Sequence, residues 1–172
     1  MTMKTHRVVT ATTVLTTALT LGSVGPASAE APRPVDSAET DYEAGVACAF
    51  PLRVSSTEGR IRENEFVDRS GNVVRTIQVT TGIAYTNTNL LTGKSITVDP
   101  RGSAMHTTVK DGVATVTSNG QTGLIMFPTD VPAGPSTTVY RGRVVFTIDL
   151  TTGVFTLVST TGTSVDICAA LA

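Results

Sequence analysis

The segment TVYRGRVVFTIDLTTGVFTLVST, residues 138–160, decides the fold class. Its first half alternates apolar residues with polar and charged ones, and the apolar residues are Tyr140, Val144, Phe146 and Ile148. Strict alternation is typical of a β-strand with one buried face. A turn at Thr152-Gly153 then leads into a second run rich in threonine and valine. The segment therefore predicts two antiparallel strands joined by a hairpin.

Similar runs extend through the rest of the chain after residue 48. Glycine-containing turn signals separate them, as at Ser70-Gly71-Asn72, Asp111-Gly112 and Asn119-Gly120. The predicted strands are 49–57, 61–68, 73–80, 83–88, 95–99, 103–109, 113–118, 123–127, 138–150 and 154–160. Most connections are too short for the crossovers that parallel strands require, so the sequence predicts an all-β antiparallel meander.

A meander of eight to ten strands hides its edges most completely by closing into an up-and-down barrel, and we expect this architecture. Lipocalins and allene oxide cyclases are architectural analogies for it, and fold alone does not carry function. The alternative is a β-sandwich, although the absence of tryptophan counts against the immunoglobulin type. Residues 164–171 are expected to form a short C-terminal helical turn capped by Ser164.

Residues 1–29 have the features of a secretory signal peptide. A basic start precedes an uncharged stretch at 8–24, and the small residues Ala27 and Ala29 fit the signal peptidase. Several threonines make the stretch too weakly apolar for a transmembrane anchor. We expect cleavage after Ala29, export by the general route, and an extracellular protein that does not contact the membrane after cleavage.

The exported part divides into a leader and a domain. Residues 30–46 are acidic and proline-broken, which predicts a disordered leader. Residues 47–172 are predicted to form a single domain. Residues 30–172 carry 11 basic and 14 acidic side chains, a net charge of about −3. This balance argues against nucleic acid or an anionic membrane as a partner.

Cys48 and Cys168 are the only two cysteines of the chain. Export places them in an oxidising compartment, where a lone pair normally forms a disulfide. Free thiols are the alternative, but neither cysteine has a metal-like partner nearby in sequence. We expect a structural bridge that encloses nearly the whole domain.

The inventory of catalytic groups is thin. His106 is the one histidine after residue 29, and no nucleophile or orienting partner accompanies it in a recognisable pattern. Glu63 and Glu65 share one strand face, which is more typical of a solvated surface than of a hydrolase. No His/Cys cluster, Asp-rich loop or phosphate-binding glycine loop is present, so we expect neither a metal nor a cofactor.

A ligand site inside the barrel is a sharper hypothesis. If the odd positions of the strand at 73–80 face inward, Arg75 lies among aliphatic residues and needs a carboxylate or an anionic ligand. The next strand presents Tyr85 and Asn87, and Tyr140 and His106 complete the candidate set. The ligand would be an apolar or anionic small molecule. The alternative is that a β-bulge shifts the register and turns Arg75 to solvent.

The segment Phe127 to Pro135 holds three prolines, so it cannot run inside a sheet. A stiff loop loses little entropy on binding, which makes it a candidate site for a protein partner. The alternative is a connection that covers one end of the barrel.

Three stretches, FVDRSGNVVR at 66–75, FPTDVPAGP at 127–135 and DICAAL at 166–171, resemble a family of uncharacterised small secreted actinobacterial proteins. The resemblance covers nearly all of residues 47–172. It implies a secreted protein of bacterial, actinobacterial origin, and it implies no activity.

Three functions remain open on the sequence. The first is an extracellular, non-enzymatic binding module for a small ligand or a partner. The second is a cofactor-free enzyme of the isomerase or cyclase type, and the third is a structural or surface-interaction protein. A cavity of several hundred cubic ångströms separates the first two from the third.

Overall fold

A computed structural model describes residues 31–98 and 102–172. These ranges contain eleven strands and one short helix. The strands are β1 (Arg33–Val35), β2 (Ala38–Tyr42), β3 (Leu52–Ser56), β4 (Gly59–Val67), β5 (Val73–Thr81), β6 (Tyr85–Asn89), β7 (Ser95–Val98), β8 (Ser103–Lys110), β9 (Val113–Met126), β10 (Ser136–Asp149) and β11 (Phe155–Asp166), and the helix is α1 (Ile167–Leu171). The all-β prediction is confirmed. The predicted signal peptide lies outside the described residues.

The strands form two antiparallel sheets. Sheet A has the order β1-β4-β5-β8-β9-β10-β11, and sheet B has the order β2-β3-β6-β7. Asp111 and Gly112 both have positive φ and make the two-residue turn between β8 and β9. The pairing found among the described strands closes neither sheet, so closure into a barrel remains a prediction.

A row of three glycines crosses sheet A. Gly120 on β9 lies opposite Gly142 on β10, which in turn lies opposite Gly162 on β11. All three have positive φ, and a Cβ on Gly142 or Gly162 would collide with a carbonyl oxygen of the neighbouring strand. Only glycine fits such positions.

Strand β9 bends sharply at this row. The hydroxyl oxygens of Ser118 and Thr122 lie 2.6 Å apart, whereas four residues of a regular strand span about 13 Å. The sequence was expected to form two strands, at 113–118 and 123–127, joined by a turn at Asn119-Gly120. That prediction was wrong, because Gly120 bends a continuous strand instead of ending it.

The bend buries both faces of the second half of β9 and of the first half of β10, with which it pairs. Leu124 packs with Val116, Val144 and Phe146 in one apolar cluster. Val139, from the opposite face, belongs to a second cluster, which also contains Ala47, Cys48, Leu52, Ile167 and Leu171. The apolar face predicted for residues 140–148 lies at the first cluster, as its alternation indicated.

The segment expected to be a disordered leader carries two strands. β1 pairs with β4 at the edge of sheet A, and β2 pairs with β3 at the edge of sheet B. Tyr42 packs against the second cluster, and its ring centroid lies 6.2 Å from that of Phe127. Arg53 holds β2 through two hydrogen bonds of 2.7 Å to Asp41. Ordering here comes from tertiary contacts that the acidic composition did not reveal.

The C-terminal helix closes the second cluster. The sulfur atoms of Cys48 and Cys168 are at disulfide distance, with Cα atoms 5.5 Å apart, as the sequence predicted. The cap is Asp166, which accepts a hydrogen bond from the Ala169 amide, and not Ser164, because β11 continues to Asp166. Asn89 donates to the Leu171 carbonyl at 3.0 Å and so ties the helix to β6.

The described part of the chain contains no helix of the length and apolarity needed to cross a lipid bilayer.

Candidate functional site

A cavity of about 320 Å³ lies where sheet B faces the bent part of sheet A. Strands β3, β6 and β7 line one side, and β4, β5, β8, β9 and β10 line the other. Its volume is within the range of small-molecule pockets, roughly 300 to 1,000 Å³. It is about twice the size of an engineered cavity of ~150 Å³ that holds benzene.

The lining is apolar with uncharged polar groups. The aliphatic and thioether side chains are Val54, Ile61, Val98, Met105, Ile125 and Val139. Amide and hydroxyl groups come from residues that include Gln78, Asn87, Ser118, Thr122 and Thr137. No Asp, Glu, Lys, Arg or His side chain lines the cavity in the described part of the chain. A charged ligand would therefore find no counter-charge, and its desolvation would not be compensated.

The bend at Gly120 provides part of this polar lining. Ser118 and Thr122 approach each other across it, and their hydroxyls share one hydrogen bond of 2.6 Å although both residues are buried. One of the two protons forms that bond, and the other hydroxyl remains available to a ligand as a donor.

Gln78 reaches the cavity from β5. Its Nε2 donates to Glu63 Oε2 at 2.8 Å, which fixes the amide orientation. Glu63 thus pairs with a neutral amide and does not serve as the carboxylate partner of Arg75. The Gln78 carbonyl oxygen keeps its capacity to accept a hydrogen bond.

Asn87 is the exception among the buried polar residues. Six such residues are found in the described chain, and five of them, Asn89, Ser118, Thr122, Asp130 and Thr137, have side-chain hydrogen bonds. Asn87 is only 4% exposed, and its carboxamide makes no hydrogen bond to any residue within 31–98 or 102–172. Its side-chain oxygen and nitrogen are accessible from the cavity, since the fully buried side-chain atoms without a partner in the described chain belong to Asn64 and His106. The group lines the cavity, where a ligand can supply the missing partners.

Tyr85 lies two residues before Asn87 on the same face of β6, and it is 42% exposed. Because Tyr85 both lines the cavity and is exposed to solvent, it lies at the opening of the cavity. The sequence-based pairing of Tyr85 with Asn87 agrees with this geometry.

Arg75 is not part of this site. It is exposed, and its guanidinium lies 5.0 Å from the ring centroid of Phe66, a cation–π contact on the other face of sheet A. The even positions Gln78 and Thr80 of β5 line the cavity, and Arg75 faces solvent, which is the alternative that the sequence left open. The cavity is polar on this side, and the more polar face of the strand therefore faces inward. A bulge at Val74 also interrupts the pairing of β4 with β5 next to Arg75.

His106 and Tyr140 also lie elsewhere. His106 neighbours Met105, whose side chain lines the cavity, so His106 points to the opposite face of β8. Its Nε2 is buried and has no partner among the described residues. Tyr140 packs against the cluster of Val116 and Phe146 and acts as core.

The proline-rich loop is pinned to the start of β11. Asp130 is buried, and its carboxylate accepts hydrogen bonds from the Phe127 amide at 2.7 Å and the Phe155 amide at 3.0 Å. Val131 exchanges backbone hydrogen bonds with Phe155 and Leu157. The loop thus covers the edge of sheet A at its beginning, and it does not line the cavity.

Sequence reasoning missed Gln78, Ser118 and Thr122 as lining residues. Ser118 and Thr122 flank the Asn119-Gly120 pair, which has the composition of a hairpin turn. Had the turn been interpreted as a bend, the two hydroxyls would have been placed on one concave face.

No protein-family model matches the chain, and neither a curated protein nor a solved structure matches it. No group of three or more potential metal ligands is found among the described residues.

Proposed function

We propose that this protein is a secreted, non-enzymatic binding module that holds one small uncharged molecule in the cavity between its sheets. The observation that carries the proposal is the unpaired carboxamide of Asn87, buried at the wall of an otherwise mostly apolar cavity. A carboxamide that faces a cavity and makes no hydrogen bond to the protein is available to hydrogen-bond to a ligand. Secretion is supported by the signal-like N-terminus and by the cysteine pair.

A binding role is favoured over the isomerase or cyclase alternative by the lining chemistry. Isomerisation by proton transfer needs a general base within hydrogen-bond reach of the substrate. His106 faces away from the cavity, and the described lining offers Tyr85 as its one titratable group. The structural-protein alternative explains neither the cavity nor the Asn87 carboxamide that makes no hydrogen bond to the protein.

The experiment introduces a larger side chain into the cavity, at a glycine position where the backbone tolerates one. Gly123 lines the cavity, its φ is not in the left-handed region, and an added Cβ there meets nothing within 4 Å. We expect the neutral fluorescent probe N-phenyl-1-naphthylamine to bind the wild-type protein, and Gly123→Leu to weaken binding at least tenfold with an unchanged melting temperature. Gly123→Ala is the matched control and should retain binding. Equal binding by all three proteins, or no binding to folded wild type, overturns the proposal.

The natural ligand is sought in protein purified from the culture medium of its own organism. Native mass spectrometry should show a bound small molecule that is absent from the Gly123→Leu variant.

A further inference from the structure

The geometry of the Asn87 side chain restricts which ligand groups can form hydrogen bonds with it. A carboxamide presents a carbonyl acceptor and an N–H donor side by side in one plane. Neither is used by a described residue, and the side chain is fixed on the central part of β6, with β3 and β7 paired on either side. A group that presents a donor and an acceptor side by side satisfies both at once.

We propose that the ligand of this cavity carries an uncharged amide edge, an adjacent N–H and C=O such as a lactam ring provides, and that Asn87 pairs with it through two hydrogen bonds. This inference rests on the function proposed above and names the class of ligand. The rest of the molecule is apolar and about the size of two six-membered rings, since the 320 Å³ cavity is about twice the volume of an engineered ~150 Å³ cavity that holds one benzene molecule.

Other ligand chemistries fit less well. A ketone or a lactone only accepts, so it pairs with the N–H of the Asn87 carboxamide and leaves the carbonyl oxygen unpaired, whereas an alcohol reaches both sides only through two bent hydrogen bonds to one oxygen. A site built to hydrogen-bond a polar group discriminates strongly against an analogue that lacks it. A carboxylate or an ammonium would be buried without a counter-charge, because no charged side chain lines the described cavity.

The apolar body has a matching surface. Val54 and Val98 from sheet B face Ile125 and Val139 from sheet A across the cavity. Tyr85 at the opening closes over the end of the ligand nearest to solvent.

The experiment uses the full mature protein and three probes of one shape, titrated by calorimetry. The probes are a phenyl-substituted δ-lactam, the matching δ-lactone, in which oxygen replaces the N–H, and phenylcyclohexane. We expect the lactam to bind at least tenfold more tightly than the lactone, and the hydrocarbon to bind no more tightly than the lactone.

Two variants locate the preference. Asn87→Leu should bind the lactam and the lactone within twofold of each other. Asn64→Leu is the matched control, because the carbonyl oxygen of Asn64 likewise has no partner in the described chain but lies outside the cavity. It should keep the tenfold preference, and melting temperatures report that both variants are folded.

The outcomes separate the two proposals. If the probes bind wild type but the lactam and the lactone differ by less than twofold, or if the preference survives in Asn87→Leu, the amide edge is wrong and the binding function stands. If no probe, N-phenyl-1-naphthylamine included, binds the folded protein, the binding function is wrong and the amide edge falls with it.

Discussion

Gly142 on β10 lies directly opposite Gly162 on β11, and neither position has room for a side chain. Gly142→Ala should therefore lower the free energy of unfolding by at least about 2 kcal/mol, since it combines an unfavourable φ with a backbone collision. Chemical denaturation measures the change. Gly153→Ala is the control, because Gly153 also has positive φ but open space around it. A loss in Gly142→Ala no larger than in the control would mean that the glycine row does not set the bend.

The Cys48–Cys168 pair should leave no free thiol in the native protein, because the chain has no other cysteine and the two Cα atoms lie 5.5 Å apart, within the usual range for a bridge. The bridge spans 120 residues of sequence. Reduction should therefore cost a few kcal/mol, up to about 5 kcal/mol on the chain-entropy model. Ellman titration before and after denaturation checks the first part, and urea unfolding with and without reductant checks the second. One reactive thiol per native molecule would contradict it.

Strands β1 and β2 pair with the two sheets, so we expect this N-terminal segment to contribute to stability, which a disordered leader would not do. Tyr42→Ala removes a ring that packs on the cluster of Leu52 and Val139, and should cost about 1–2 kcal/mol. Glu43→Ala changes an exposed neighbour and should stay within about 0.5 kcal/mol of wild type. Thermal unfolding compares them. Equal stability of both variants would instead support the prediction that this segment is a disordered leader.

The unpaired amide of Asn87 predicts a stabilising substitution at a buried site. In the ligand-free protein, Asn87→Leu should raise the free energy of unfolding by about 1 kcal/mol, because an apolar side chain of similar size replaces a carboxamide that makes no hydrogen bond to the protein at a mostly apolar cavity wall. Differential scanning calorimetry should show a melting temperature higher by about 3 °C. A lower melting temperature would show that the carboxamide stabilises the fold.

Two turn aspartates predict the acid side of the stability profile. Amide donors of Thr152 and Thr151 lower the pKa of Asp149, and Asn72 does the same for Asp68. A lowered folded-state pKa contributes stability above the unfolded pKa near 4, and this stability is lost as pH falls through the folded value. Asp149→Asn, which keeps the acceptor oxygen but cannot titrate, should flatten the decline of melting temperature between about pH 4 and pH 2. An unchanged slope would contradict the role assigned to Asp149.

Local patterns gave most of the secondary structure. Alternation placed β10 and its buried face, and glycine turns placed the hairpins at Asp111-Gly112 and Thr152-Gly153, because period-two alternation and positive φ are properties of short stretches. The same local rule failed at Asn119-Gly120. A glycine with positive φ fits a turn and a bend equally well, and only pairing with Gly142 distinguishes them.

The sequence predicted part of the candidate site. Tyr85 and Asn87 were placed together because residues two apart on a strand share a face. Arg75, His106 and Tyr140 do not line the cavity, and the solvent-facing alternative describes Arg75, since alternation defines two faces of a strand but not which one faces inward.

The sequence by itself determined the all-β class, the antiparallel hairpins and the pairing of the only two cysteines, because each depends on local periodicity, turn chemistry or simple count. The tertiary structure alone decided the bend at the glycine row, the order of the N-terminal strands and the polar face that lines the cavity. These depend on which strands meet across the sheets, and the packing of Val139 against Leu52 or the isolation of Asn87 arises only when residues distant in the chain come together.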